Sequence, residues 1–203
     1  MKTEFIIALV VFSLILLLFL FVPSIKRLIE FKYYKKNTGK VLYKYASDYD
    51  VFLLNDVNIP YGDEIIRFDH ILFGNKFIYC IKDECHRIGL EGSAEDLKWF
   101  SYDKKGGFDY ISNPFKENNL NIILLSNFMK INIKDKFFYS IVCVNDSCLT
   151  SIEKCKDDEI VCNTSSLYKR IKELEQNNSV SNINQERLET VVKMLYERIQ
   201  TSK

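Results

Sequence analysis

The stretch FDHILFGNKFIYCIKDECHR, Phe68–Arg87, decides the fold of this chain. Two apolar runs rich in β-branched and aromatic residues flank Gly74-Asn75, a pattern typical of two strands joined by a short turn. Both runs are apolar almost throughout, which indicates central strands buried on both faces. The hairpin carries Asp69 on its first strand and Asp83 near the end of its second.

Further strands are predicted on both sides of this hairpin. Apolar runs of strand length recur upstream and downstream, and Pro60-Tyr61-Gly62 predicts a turn. A polar excursion, residues 95–112, separates the hairpin from the later elements and holds the only tryptophan, Trp99. The additional predicted strands are Val51–Leu54 and residues 87–92, 137–144 and 158–162.

Three helices are predicted in the second half of the chain. Asn113-Pro114 opens the first, because Asn favours the N-cap and Pro the first helical position, and this helix ends before Ile131. Thr164 or Ser165 caps the second. Residues 185–200 place apolar side chains at helical spacing, which predicts an amphipathic helix with one packed face. Strands and helices in this order predict an α/β domain.

The N-terminus predicts a membrane anchor. Phe5–Val22 contains 18 residues, of which only Ser13 is polar, and about 20 apolar residues cross a bilayer core. The run is longer than the apolar region of a signal peptide and lacks a small-residue cleavage site, which favours an uncleaved single-pass helix. A basic juxtamembrane helix is expected to follow until Asn37-Thr38-Gly39 ends it.

Flanking charge predicts how the anchor is oriented. Between Ser24 and Lys44 seven Lys and Arg residues stand against one acid, Glu30. Basic flanks stay in the cytoplasm, so the N-terminus is expected outside and the domain in the cytoplasm, at a bacterial plasma membrane. The same run could contact anionic lipid headgroups.

Composition excludes several classes of protein. The chain is 47% hydrophobic and 14% aromatic, so it can bury a core, and its net charge of +1 gives no global attraction for nucleic acid. Six cysteines form no CxxC pair, which favours buried or incidental thiols over a zinc site. No Walker-type phosphate loop and no local nucleophile motif is present.

The hairpin has the layout of a metal-dependent nuclease core. Such enzymes hold Mg²⁺ with carboxylates, and the metal polarises the phosphate and activates water. An Asp on one strand and Glu-x-Lys on the next suit this chemistry, because alternate residues of a strand share a face. Here Asp69 is present, but Ile81 and Asp83 stand where Glu and Lys are expected.

Landmarks in order along the soluble part resemble the nuclease-related domain family, a branch of the PD-(D/E)xK restriction-endonuclease-like fold often found behind an N-terminal transmembrane helix. Besides the Asp69-His70 strand and Trp99, they are Gly39, Asn55–Pro60 (NDVNIP), Asn113–Asn119 (NPFKENN), residues 137–146 and the helix near Ser165–Ile171. The resemblance implies a mixed central sheet flanked by helices, preceded by a single transmembrane helix.

The chain departs from the family pattern at most of its motif positions. Lys40 stands where the family has an acid, Ile81-Lys82-Asp83 aligns with Glu-x-Lys, and Glu117 replaces the Gln of the helix start. Asp69 alone is retained, with His70 beside it as an expected core histidine. These changes favour a protein that has lost the nuclease chemistry and needs no cofactor.

Two functions and one structural alternative remain open from the sequence. The first is a membrane-anchored, degenerate nuclease-fold module that binds or scaffolds nucleic acid, nucleotide or protein. The second is an active Mg²⁺-dependent nuclease with a remodelled catalytic and metal-binding cluster of Asp69, Asp83 and Glu117, with Lys82 or Lys40 nearby. The third is a membrane-surface protein with an accidental resemblance. The expected organisation is an anchor at 1–23, a basic helix at 24–38, the α/β domain at 39–176 and a packed amphipathic helix at 177–203.

Overall fold

A computed structural model describes residues 2–86, 88–103, 106–133, 136–177 and 179–201. The chain divides into two compact units, Met1–Lys36 and Asn37–Lys203. The second unit contains all the strands of the described chain. In chain order the elements are α1 Lys2–Tyr49, β1 Phe52–Tyr61, β2 Glu64–Phe73, β3 Ile78–Glu84, β4 Gly89–Ser93, β5 Lys98–Tyr102, β6 Phe108–Ser112, α2 Pro114–Met129, β7 Phe138–Val144, β8 Leu149–Glu153, β9 Glu159–Asn163, α3 Thr164–Glu175 and α4 Gln185–Thr201.

The first sheet is mixed and has five strands in the order β1-β2-β3-β7-β9. β1, β2 and β3 pair antiparallel, whereas β3, β7 and β9 run parallel. The hairpin strands β2 and β3 therefore lie inside the sheet, and the turn at Gly74-Asn75 falls between them, as predicted. A mixed sheet flanked by helices confirms the expected α/β architecture.

Two apolar clusters cover the two faces of this sheet. Side chains of α2 and α4 pack with alternate residues of β2 and β3, including Ile71 and Cys80. On the other face Leu72 and Ile81 pack with the last turns of α1 and with α3. The two clusters together explain why both hairpin strands are apolar almost throughout.

The second sheet was not predicted as a unit. It has four strands in the order β6-β5-β4-β8, and β5 and β6 form a hairpin inside the segment predicted to be a polar excursion. Strand β8 was missed as well, because its sequence LTSIE is short and polar. Of the predicted strand 87–92, Arg87 lies outside the described residues, and β4 begins at Gly89. Trp99 fills the core below this sheet, next to Phe115 of α2.

The prediction that Asn37-Thr38-Gly39 ends a helix is wrong, because α1 continues to Tyr49. Thr38, Leu42, Tyr45 and Ala46 recur at helical spacing and are all buried. Their tertiary packing outweighs the weak helix propensity of Asn, Thr and Gly. The strand predicted at Val51–Leu54 also extends further, to Tyr61, since Pro60 is tolerated on an edge strand. Consequently the turn lies at Gly62-Asp63.

No membrane-spanning helix is found among the residues whose side chains the structure describes. Within the predicted anchor Phe5–Val22, those side chains are Val11, Phe12, Ser13 and Val22. The other side chains of that segment lie outside the described set.

The carboxylate of Glu175, near the end of α3, closes the β2–β3 turn. It accepts hydrogen bonds from the backbone N–H groups of Lys76 and Phe77 and from the Tyr79 hydroxyl, at 3.0, 3.3 and 2.8 Å. A side chain at position 74 would meet this carboxylate and displace it from the turn. A single acceptor on α3 thus fixes the geometry of the hairpin.

Replacing Glu175 by Ala is expected to lower the free energy of unfolding by about 1–3 kcal/mol, because the backbone N–H groups of Lys76 and Phe77 lose their hydrogen-bond acceptor. Denaturant unfolding followed by Trp99 fluorescence measures the loss. Glu173→Ala is the matched control on the same helix. Glu173 forms an exposed ion pair with Arg170, so its loss should change the free energy of unfolding by no more than about 0.5 kcal/mol. Equal stability of the two variants would contradict the role given to Glu175.

Candidate functional site

The candidate site lies on the inner strands β2 and β3. His70 pairs with Ile81 across the two strands, so the predicted residues Asp69, Lys82 and Asp83 flank this pair. Side chains of a strand alternate between faces, and neighbouring residues therefore project to opposite sides of the sheet. The register decides which of the predicted site residues can act together.

His70 and Asp83 form a buried pair on the face covered by α1 and α3. The Nε2–H of His70 donates to Oδ2 of Asp83 at 2.9 Å, and Nδ1 lies 2.6 Å from Oδ1 of Asn55 on β1. The two side chains are 3% and 0% exposed. His70 is therefore a satisfied core histidine, as expected. Gly39 of α1 approaches its ring, since a Cβ at this position would lie 3.5 Å from Cε1.

Burial raises the pKa of Asp83 above its usual range, because the apolar surroundings disfavour the charged carboxylate. The hydrogen bond and the charge of His70 oppose this rise, whereas the charge of Asp69 adds to it. The carboxylate of Asp83 is thus committed to an internal contact that joins β2 and β3.

Asp69 is used in a different way. Its Oδ2 accepts a hydrogen bond from the backbone N–H of Asp83 at 2.9 Å. The structure therefore brings Asp69 and Asp83 together through the main chain of β3, while the Asp83 carboxylate bonds to His70. The bond from Asp69 holds the two strands together beyond the pair His70–Ile81.

Lys82 and Glu117 lie on the opposite face of β3. The Nζ of Lys82 donates to Oε1 of Glu117, in the first turn of α2, at 3.0 Å. The pair is partly exposed, with side-chain exposures of 26% and 52%. Asp83 and Glu117 are consequently on different faces, and the arrangement Asp69–Asp83–Glu117 predicted for an active enzyme does not form. Lys40 is exposed on α1.

The same alternation separates the three residues Ile81-Lys82-Asp83, which the sequence aligns with Glu-x-Lys. Ile81 packs on the side of α1 and α3, whereas Cys80 packs with α2, whose Asn118 donates to the Cys80 carbonyl at 2.8 Å. The alternate positions that face α2 are therefore Cys80 and Lys82. This face therefore presents a lysine and a fully buried thiol.

Three buried polar residues near the hairpin were not predicted. Asn118 also donates to the Ser140 hydroxyl, and Asn121 accepts from the backbone N–H of Arg67 at 3.1 Å, so both join α2 to the sheet. His86 donates from Nε2 to Glu84 at 2.9 Å, and its Nδ1 lies 2.7 Å from the Ser101 hydroxyl on β5. The two asparagines could have been found from the sequence, because they fall on the same helical face as the buried apolar residues of α2. For His86 the signal was absent, because two of its partners, Ser101 and Asn145, come from distant segments.

The side chains present do not fit a divalent cation. Over the described ranges no three histidine, cysteine or carboxylate side chains converge on a common point. A metal would also compete with His70 for Asp83 and with Lys82 for Glu117. The arrangement supports packing and hydrogen bonding, and no step of metal-assisted hydrolysis can be derived from it.

Comparison with known proteins gives one family and one solved structure. The family model described as a nuclease-related domain matches residues 29–145, more than half of the chain. The small subunit of the heterodimeric restriction endonuclease R.BspD6I is similar over 80% of this chain and 78% of that one, with 14% identity and a TM-score of 0.34. A search of curated proteins returned no match.

His70→Ala is expected to lower the free energy of unfolding by about 3–5 kcal/mol near neutral pH, because the buried charge of Asp83 loses the imidazole that pairs with it. The folded state then binds the Asp83 proton more tightly than the unfolded chain. Stability of the variant should therefore fall as pH rises from 3.8 through the raised pKa, and recover on acidification.

The control is the double variant His70→Ala/Asp83→Asn, which removes the charge and retains the shape. It should be more stable than His70→Ala at neutral pH and should lack the added pH dependence. Urea unfolding of both variants across pH measures the difference. Identical pH profiles would show that the Asp83 carboxylate does not carry the effect.

Proposed function

The chain belongs to the nuclease-related domain family, and we propose that it keeps the nuclease scaffold without the metal chemistry, serving as a membrane-tethered binding or scaffolding module at the cytoplasmic face. The family membership supports the nuclease-related part of this proposal. Fold alone does not define function, so the argument depends on the residues of the hairpin.

The observation that carries the proposal is the engagement of every predicted site carboxylate in a contact within the protein. Asp83 bonds to His70, Asp69 accepts from the Asp83 backbone, and Glu117 pairs with Lys82. Mg²⁺ needs several oxygen ligands with their negative charge directed at one point. A carboxylate that stabilises a strand pair or neutralises a lysine is a poor ligand, since binding the metal would break that contact.

The buried Cys80 strengthens the argument. Burial raises the pKa of its thiol well above the usual range, so the side chain stays neutral and behaves as a small apolar group. The thiol is therefore unsuited to a hard cation such as Mg²⁺, which prefers oxygen ligands. The face of β3 that meets α2 thus presents Lys82 without an acidic neighbour at position 80.

The full-length protein is expected to leave labelled single- and double-stranded DNA and RNA intact in the presence of Mg²⁺ or Mn²⁺. Asp69→Ala is assayed beside it, with Glu64→Ala, which removes an exposed carboxylate of the same strand, as the matched control. Metal-dependent cleavage that disappears with Asp69→Ala alone would overturn the proposal. That outcome would favour the alternative of an active nuclease with a remodelled carboxylate site.

The membrane tether is a second part of the proposal, and the sequence supports it. Phe5–Val22 is apolar apart from Ser13, and seven basic residues lie between Ser24 and Lys44. Such a flank predicts an N-terminus outside and a domain in the cytoplasm. The same basic residues would attract the domain to anionic lipid headgroups, each by about 1 kcal/mol near the surface.

Topology can be read from Cys155, a free and exposed thiol between β8 and β9. The protein is expected to sediment with bacterial membranes after alkaline washing. A membrane-impermeant maleimide should label Cys155 only after the membrane is opened, with Cys155→Ala as the control for the other thiols. Recovery of the protein in the soluble fraction would contradict the tether, and labelling of Cys155 in intact spheroplasts would contradict the orientation.

A further inference from the structure

The hairpin β5–β6 presents four aromatic rings on one surface, the aromatic face: Phe100, Tyr102, Phe108 and Tyr110. Their ring centroids form a continuous cluster, with separations of 5.4 Å for Phe100–Phe108, 5.0 Å for Phe100–Tyr110 and 5.6 Å for Phe108–Tyr110. Phe108 and Tyr110 are 52% and 61% exposed. Large exposed apolar patches on a protein surface commonly mark binding sites.

Strand alternation explains why these rings point outward. Phe100 pairs with Tyr110 and Tyr102 with Phe108. The pairs Trp99–Ile111 and Ser101–Asp109 project to the opposite face, where Trp99 and Ile111 join the core. The aromatic face is therefore separate from the packing of Trp99. Its rings can change without removing a core side chain.

Acidic side chains accompany the rings. Residues 89–112 carry five acids against three lysines. Glu91, on the neighbouring strand β4, pairs with Phe100 in the sheet and accepts a hydrogen bond from the Tyr102 hydroxyl at 2.8 Å. Asp109 pairs with Ser101 and therefore projects to the other face of the sheet, and Asp103 accepts a hydrogen bond from the Gly107 backbone at 2.9 Å. A polyanion approaching the aromatic face would meet the charge of Glu91, which disfavours nucleic acid as its occupant.

The rings already accept a cation within the chain. The Nζ of Lys98 lies over the Tyr110 ring, 5.9 Å from its centroid. A cation placed in this way is attracted by the negative face of the ring. Arginine is suited to the same position, because its planar guanidinium stacks on aromatic rings and donates to carboxylates at once.

We propose that the aromatic face binds an arginine-containing, cationic segment of a partner protein. The guanidinium groups stack on Phe108 and Tyr110, and the carboxylate of Glu91, which lies beside Phe100 and Tyr102, supplies the complementary charge. The aromatic face lies on the second sheet, away from the β2–β3 hairpin. Its binding is therefore independent of whether the hairpin hydrolyses nucleic acid, and the two proposals can fail separately.

Fluorescence anisotropy tests the proposal with the full-length protein in neutral detergent. The probe is a short labelled peptide of glycine, arginine and serine repeats. The same peptide with glutamate in place of arginine and a labelled oligothymidylate are the comparison probes. We expect the arginine peptide alone to bind, and its affinity to fall as salt is raised.

Variants assign the binding to the aromatic face. Tyr110→Ala should weaken binding about two- to fivefold, and Phe108→Ala/Tyr110→Ala about tenfold, as expected for the loss of exposed cation–π contacts. Glu91→Gln should weaken it as well and reduce its salt dependence. Tyr43→Ala is the matched control, because this α1 tyrosine is 71% exposed and lies outside the aromatic face. Thermal unfolding followed by Trp99 fluorescence verifies that the variants are folded.

Either of two kinds of result would overturn the proposal. One is the absence of arginine-peptide binding, or binding that Phe108→Ala/Tyr110→Ala leaves unchanged. The other is tighter binding of oligothymidylate than of the arginine peptide, lost in the same double variant, which would assign the rings to base stacking instead.

Discussion

The buried contact between the His70 imidazole and the Asp83 carboxylate joins β2 to β3 on the side of the sheet that α1 and α3 cover. A carboxylate with no exposed surface must keep a partner, since an unpaired charge in this position would cost several kcal/mol. The contact therefore fixes which residues of β3 face inward on that side. Every other position of the strand then faces α2, and the distribution of polar groups around the hairpin follows.

The orientation of β3 places the adjacent polar residues Lys82 and Asp83 on opposite faces of the sheet. Asp83 belongs to the internal pair, and Lys82 belongs to the surface next to Glu117. Asp69 links the two by accepting from the Asp83 backbone. Each carboxylate contacts another group of the protein, and the carboxylates therefore do not converge on one point where they could hold a cation. The proposal of a scaffold without metal chemistry draws its support from this division of roles.

The second sheet extends the molecule away from the hairpin and is joined to it by polar contacts. His86, two residues after the end of β3, connects Glu84 to Ser101 of β5. The Asn145 side chain accepts from the His86 N–H and donates to the His86 carbonyl, each at 2.8 Å. Trp99 and Phe115 fill the space between this sheet and α2. The inner side of β5–β6 is thereby held in place, and its outer rings lie on a supported surface.

Local sequence determined the elements whose signals are strong and short in range. Apolar β-branched runs around Gly74-Asn75 gave the hairpin, and Asn113-Pro114 gave the start of α2, where the Asn113 side chain accepts from Phe115 N–H at 2.9 Å. Tertiary packing decided the rest. Packing of buried side chains stabilised α1 past Gly39 to Tyr49. Short strands paired into a second sheet that the sequence pattern did not predict. The register of β3 placed Lys82, and not Asp83, beside α2. A shift of one residue would have exchanged the two faces of the strand, and the register depends on pairing partners far apart in the chain, which local sequence does not reveal.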